Sequence, residues 1–144
     1  VPGPWISDDD LADELASLLQ RPGRDGLEPF WWPRIARANQ AAAAEIAGTL
    51  AARGFGGAQV LAFDRGPELN RHLGLYFLLL DGLALSAVPP ETVRLYDRRK
   101  DLQTLPVTVG GAVVSPAANA VTGGAAVGGR MAPPDAVVRE DTVF

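Results

Sequence analysis

From Leu69 to Leu85 the chain places apolar side chains on almost every side of a helix: Leu69, Leu73, Tyr76, Phe77, Leu80 and Leu83 or Ala84 share one flank, and Leu75, Leu78, Leu79 and Leu85 widen it. Asp64-Arg65-Gly66-Pro67 opens this segment and Ser86 to Pro90 closes it. A helix that is apolar nearly all round must be covered on several sides. In a chain of 144 residues few elements are available to do so. The helix is therefore expected at the centre of a bundle, or with one face under a neighbouring subunit. It is not expected to cross a membrane, because Leu73 to Leu85 is too short and is interrupted by Gly74, Asp81 and Gly82.

Three further segments keep a helical period. Ser7 precedes Asp8, Asp9 and Asp10, and Leu11, Leu15, Leu18 and Leu19 follow on one face, which predicts a capped helix from Asp8 to about Gln20. Pro22, Gly23 and Gly26 mark a loop to Pro29. A second helix is expected from Pro33, a residue suited to a first turn, with Ile35, Ala38, Ala42, Ile46 and Leu50 in register and Gly54 as a left-handed terminator. Residues 55–65 fit either a short extended piece or a packed loop. A fourth helix is expected from Pro90 to about Leu105, its face laced by Glu91/Arg94, Arg94/Asp97, Asp97/Lys100 and Arg98/Asp101 pairs.

The helical period stops at Leu105. Pro106-Val107-Thr108-Val109, Gly110-Gly111 and Ala112-Val113-Val114 suit a small β-hairpin, which needs something to pack on. Beyond Ser115-Pro116 come repeated glycine pairs, small side chains and Pro133-Pro134, ending in a tip where Val137-Val138 and Val143-Phe144 flank Arg139-Glu140-Asp141. The fold class is thus mainly α: a four-helix bundle-like domain over residues 1–105, followed over 106–144 by a candidate hairpin and a long extended C-terminal arm. Fully extended, 106–144 would reach on the order of 100 Å. Such an arm buries too little apolar surface to offset its own ordering entropy, so it is expected to order against other chains.

Composition narrows the chemistry. A formal charge of -4 gives no general attraction for nucleic acid or anionic lipid, and neither DNA binding nor membrane binding is expected as the primary activity. With no Cys and one His, disulfides, thiolate catalysis and two-His metal sites are excluded, and no metal, cofactor or catalytic residue is assigned. Asp8, Asp9, Asp10, Asp13 and Glu14 point in different directions along a helix and read as an acidic first turn. His72 lacks a partner at a catalytic spacing and reads as a surface or interface histidine. Ser7, Ser86 and Ser115 lack a nucleophile-elbow setting. The N-terminal residues resemble no secretory leader, so a cytoplasmic site of synthesis is expected.

The remaining candidates are interface residues. Arg94, Arg98 and Arg99, with Lys100, are the basic concentration, although Asp97 and Asp101 interleave with them. Trp31 and Trp32 are adjacent and cannot both point inward, which predicts one buried and one at an interface. Val107, Val109, Val113 and Val114 in the hairpin and Val137, Val138 and Phe144 in the tip complete the set.

Trp5-Ile6-Ser7-Asp8-Asp9-Asp10-Leu11, the helix from Arg34-Ile35-Ala36-Arg37-Ala38-Asn39 to Ile46 and Leu50, the apolar helix from Asn70 to Leu80, and Tyr96-Asp97-Arg98-Arg99-Lys100-Asp101-Leu102 together resemble the small head-tail connector, or adaptor, proteins of tailed bacteriophages and gene-transfer particles. The resemblance covers residues 5–111 and is one of element order and composition. It implies a structural, non-enzymatic homo-oligomeric ring, commonly of twelve copies. The ring would dock on a portal protein at the head-tail interface of a virion assembled in a bacterial cytoplasm, and would meet stopper or tail proteins. DNA would pass through it without sequence-specific binding. The arm would lie along adjacent subunits or the portal. A stopper protein of the same particle is the alternative, although it would be mainly β; a small helical ligand-binding or regulatory protein is another.

Overall fold

The computed structural model describes residues 3–82 and 88–116. The chain is mainly helical: α1 (Asp8–Leu18), α2 (Trp31–Ala52), α3 (Gly57–Leu61), α4 (Gly66–Gly82), α5 (Pro90–Arg94) and α6 (Arg99–Thr104), then an antiparallel hairpin of β1 (Thr108–Val109) and β2 (Ala112–Val113). A 3-10 turn at Arg24–Gly26 lies between α1 and α2.

Both ends of α1 are set by local chemistry. The Ser7 hydroxyl accepts the Asp10 amide at 3.1 Å, and the Asp10 carboxylate accepts the Ser7 amide in return, a reciprocal cap. The helix stops two residues before the expected Gln20. Gln20 itself takes a left-handed conformation (φ 59°), and the Gln20 and Arg21 amides turn back to the carbonyls of Ser17 and Ala16. The same device ends α2, with Gly54 at φ 96° and the Phe55 amide on the Leu50 carbonyl. That terminator was legible as a glycine; its counterpart at Gln20 was not. The start of α2 needs correction: it begins at Trp31, two residues before Pro33. Pro33 is then the third helical residue, still within the turn whose amides lack intrahelical partners.

Helix α4 is the spine. One core cluster gathers Leu11 and Leu15 of α1, Trp31 and Ile35 of α2, Leu75, Leu78 and Leu79 of α4, and Val93 of α5. A second gathers Ala42, Ile46 and Leu50 of α2, Leu69 and Leu73 of α4, Phe55, Val60 and Phe63 of the segment between, and Leu102, Leu105 and Val107. Only α2 and α4 contribute to both, and they run antiparallel, since Trp31 meets Gly82. Leu80, placed on the apolar flank by its spacing, is half exposed. The helix also carries three glycines eight residues apart that act as docking slots. A methyl group at Gly66 would lie 2.4 Å from the Trp5 ring, at Gly74 3.0 Å from Leu11, and at Gly82 2.5 Å from the Trp31 ring. Each slot lets a large side chain from another element reach the backbone of the spine.

Residues 55–65, for which two readings stood open, form α3 and then a short extended step at Phe63 that bridges to Val109. The fourth expected helix is two. Asp97 bonds the Arg99 amide and guanidinium with its own carboxylate, and this local competition for backbone groups breaks the helix between α5 and α6. Of the four expected pairs, the described residues form Arg98–Asp101, at 3.8 Å; Asp97 turns to Arg99 instead of Arg94 or Lys100.

Where α2 crosses α4 the interior is polar. Asn39 and Asn70, both essentially unexposed, are the buried polar side chains among the described residues. Asn70 Nδ2 donates to Asn39 Oδ1 at 2.7 Å. Asn39 Nδ2 donates to the Ile6 carbonyl and to an Asp8 carboxylate oxygen, and the Trp5 amide donates to Asn70 Oδ1 at 3.0 Å. Replacing Asn70 by Ala strands the Trp5 amide and the Asn39 carbonyl oxygen, each costing about 1–3 kcal/mol when buried without a partner. Urea unfolding of Asn70→Ala is expected to show a loss of at least ~2 kcal/mol; a change within ~0.5 kcal/mol would contradict this account of the crossing.

Candidate interaction surface

The hairpin is built onto the second core cluster. Val107 is 1% exposed and Val114 packs against the same cluster, while the Val114 amide donates to the Val107 carbonyl. Thr108 pairs with Val113 and Val109 with Ala112. Gly110 and Gly111 both take positive φ, 61° and 83°, the geometry of a two-residue hairpin turn whose twist matches that of the strands.

Asp64 holds this turn. Its carboxylate oxygens accept the Gly110 amide at 2.9 Å and the Gly111 amide at 2.7 Å, and its own amide donates to the Thr108 carbonyl. With Phe63 bridged to Val109, the 63–64 step occupies the outer edge of β1. The outer edge of β2 has no strand beside it among the described residues, and Val113 on it is 71% exposed. The chain leaves the hairpin along a fixed course: the Ser115 carbonyl accepts from Gln59, and Pro116 rests on Gly54, where an added methyl would lie 3.1 Å from its ring. The described chain therefore ends beside the C-terminal end of α2.

Arg53 ties α6 to this end of the molecule. Its guanidinium donates to the Leu102 and Leu105 carbonyls, both at 2.8 Å, supplying partners for carbonyls that the helix end leaves free. Nothing in the sequence singled out Arg53, Asp64, Gln59 or the two asparagines; their roles depend on partners 31 to 65 residues away.

Two interface candidates need correction. Trp31, 3% exposed, belongs to the core, where Gly82 admits its ring, and Val107 is a core residue beneath the hairpin. Trp32 is partly buried against the same cluster as Trp31, so one ring of the adjacent pair is buried and the other only in part. Both lie at the opposite end of α2 from the hairpin. Arg94 is exposed. Arg99 is committed internally: Nη2 donates to the Tyr76 hydroxyl at 2.7 Å and the guanidinium grips Asp97, which holds that carboxyl below its ordinary range. Val109, Val113 and Val114 come together in the hairpin; Val137, Val138 and Phe144 lie outside the described residues.

His72 stands edge-on to Tyr96, its Nδ1 shielded and without a hydrogen-bond partner. Burial, reinforced by the nearby Arg98 charge, lowers its pKa. Among the described residues no three Asp, Glu or His gather as a metal ion requires, and no helix is long and apolar enough to cross a membrane. Compared with family models, curated proteins and solved structures, the chain shows no match.

Hydrogen bonds from Gly111 and Gly110 hold the Asp64 pKa below the ordinary aspartate range. A carboxylate depressed in the folded state stabilises the fold above its ordinary pKa and ceases to do so as pH falls through the lowered one. The Gly110 and Gly111 amide resonances are therefore expected to titrate with a midpoint below that of an ordinary aspartate, and Asp64→Asn is expected to abolish that titration. A midpoint at or above the ordinary value would contradict the clamp.

Proposed function

We propose that the chain is a structural head-tail adaptor: one copy of a ring between portal and tail of a phage-like particle, completing the channel through which DNA passes. The observation that carries the reading is the outer β2 edge, which no strand covers among the described residues, with Val113 exposed, close to where the described chain ends at Pro116. An unpaired strand edge offers backbone donors and acceptors to a neighbouring chain. A departing segment rich in glycine, alanine and valine suits contacts spread over a neighbour's surface, with ordering paid at assembly. The resemblance over residues 5–111 points to the family, and the helical body is the frame that carries the hairpin. A net charge of -4 suits a channel wall, since like charge keeps the phosphate backbone from adhering. Nothing in this role calls for a reaction.

The test is the composition of particles. In tailed particles purified from a culture that expresses the chain, quantitative mass spectrometry is expected to find it at the copy number of one ring per particle, and symmetry-resolved cryo-electron microscopy is expected to place the helical body below the portal. A chain absent from such particles, found only as a free monomer in the cell extract, would overturn the proposal.

A further inference from the structure

At the end of the molecule opposite the hairpin, the C-terminal end of α1, the loop before α2 and the start of α5 enclose a groove of about 720 Å³, within the range of clefts that hold a ligand-sized group. Its floor is apolar, from Leu18, Leu19, Phe30 and Trp31. Its rim carries one charge of each sign, Arg21 and Glu28, ion-paired at 2.7 Å and both substantially exposed. We infer that this groove receives the segment Val137–Phe144 of a neighbouring copy, so that each subunit clips the next.

Two observations select this occupant. The first is chemical. Val137-Val138 and Val143-Phe144 supply apolar side chains on both sides of Arg139-Glu140-Asp141. The apolar pairs match the floor; Arg139 finds an acidic partner in Glu28, and Glu140 or Asp141 a basic one in Arg21. The second is reach. Pro116 is seated on Gly54 just past the end of α2, and the groove lies at the start of that helix. The 22 residues of α2 span about 33 Å, whereas residues 117–136 can extend over about 65 Å. The segment can cross the body of its own subunit with enough chain left to arrive on the next. The choice of a neighbouring copy rests on the adaptor reading; the choice of segment and groove does not.

The experiment uses the full chain with Phe144 replaced by the photo-crosslinking analogue p-benzoylphenylalanine, mixed in equal parts as isotopically light and heavy protein at assembling concentration. Mass spectrometry after irradiation is expected to find crosslinks from position 144 to the 18–31 region or to Thr92, half of them joining light to heavy chains. Val138→Asp, which alters no described residue, is expected to lower the yield about tenfold, and Leu18→Asp to do the same with its thermal melt recorded as a control for folding. Crosslinks only within single chains would overturn the neighbour assignment. Crosslinks elsewhere, or a groove probe at Thr92 that captures only residues 83–87, would overturn the groove itself. Ring stoichiometry in particles is measured separately, so an adaptor ring whose crosslinks avoid the groove would sink this inference alone.

Discussion

One hydrogen bond between two buried asparagine side chains, donated by Asn70 and accepted by Asn39, fixes how this chain crosses itself. Apolar contact between α2 and α4 is non-directional and would tolerate sliding. The bond between Asn39 and Asn70 does not tolerate it, because a shift of one turn would leave buried amide groups without partners at a cost larger than most single contacts can offset. The same pair takes in the Trp5 amide, the Ile6 carbonyl and the Asp8 carboxylate. The N-terminal segment is therefore fixed by the helix crossing and in turn positions the cap of α1.

With the crossing set, the rest follows along α4. Its glycines admit Trp5, Leu11 and Trp31 at successive levels, so three separate elements lock onto one helix without side chains between them. At the far end of α2, Arg53 and Asp64 convert this rigid frame into a platform: one satisfies the carbonyls that end α6, the other satisfies the amides of the hairpin turn. The β2 edge that no strand covers among the described residues inherits its position from the helices beneath. If that edge engages another chain, as proposed, such a frame lowers the cost of ordering it at the moment of contact.

What the sequence made legible was whatever repeats along one element. The apolar period marked α1, α2 and α4, the apolar girth of α4 placed it at the centre, and alternation around Gly110-Gly111 marked the hairpin. What it did not make legible depends on pairing across the chain. Asn70 and Asn39 look like ordinary helix-surface residues until their elements cross. Asp97 looked like one member of an ion-paired helix face, yet its short side chain reaches its own backbone first and splits that helix. Trp31 and Val107 fit a core or an interface equally well in the sequence, since aromatic and β-branched side chains serve both; only the slot at Gly82 and the core cluster beneath the hairpin decide between them. Among the hairpin candidates, those one residue apart separate by the alternation of strand faces: Val114 toward the core, Val113 outward.

The central claim is that the crossing opens only when the whole fold does. Native-state hydrogen exchange of the Trp5 backbone amide and the Asn39 and Asn70 side-chain amides tests it directly. The account predicts that these protons exchange as slowly as the amides of Leu73 and Ile46 in the middle of the core. Exchange from these groups on the time scale of the exposed helix ends, while the core amides stay protected, would contradict it.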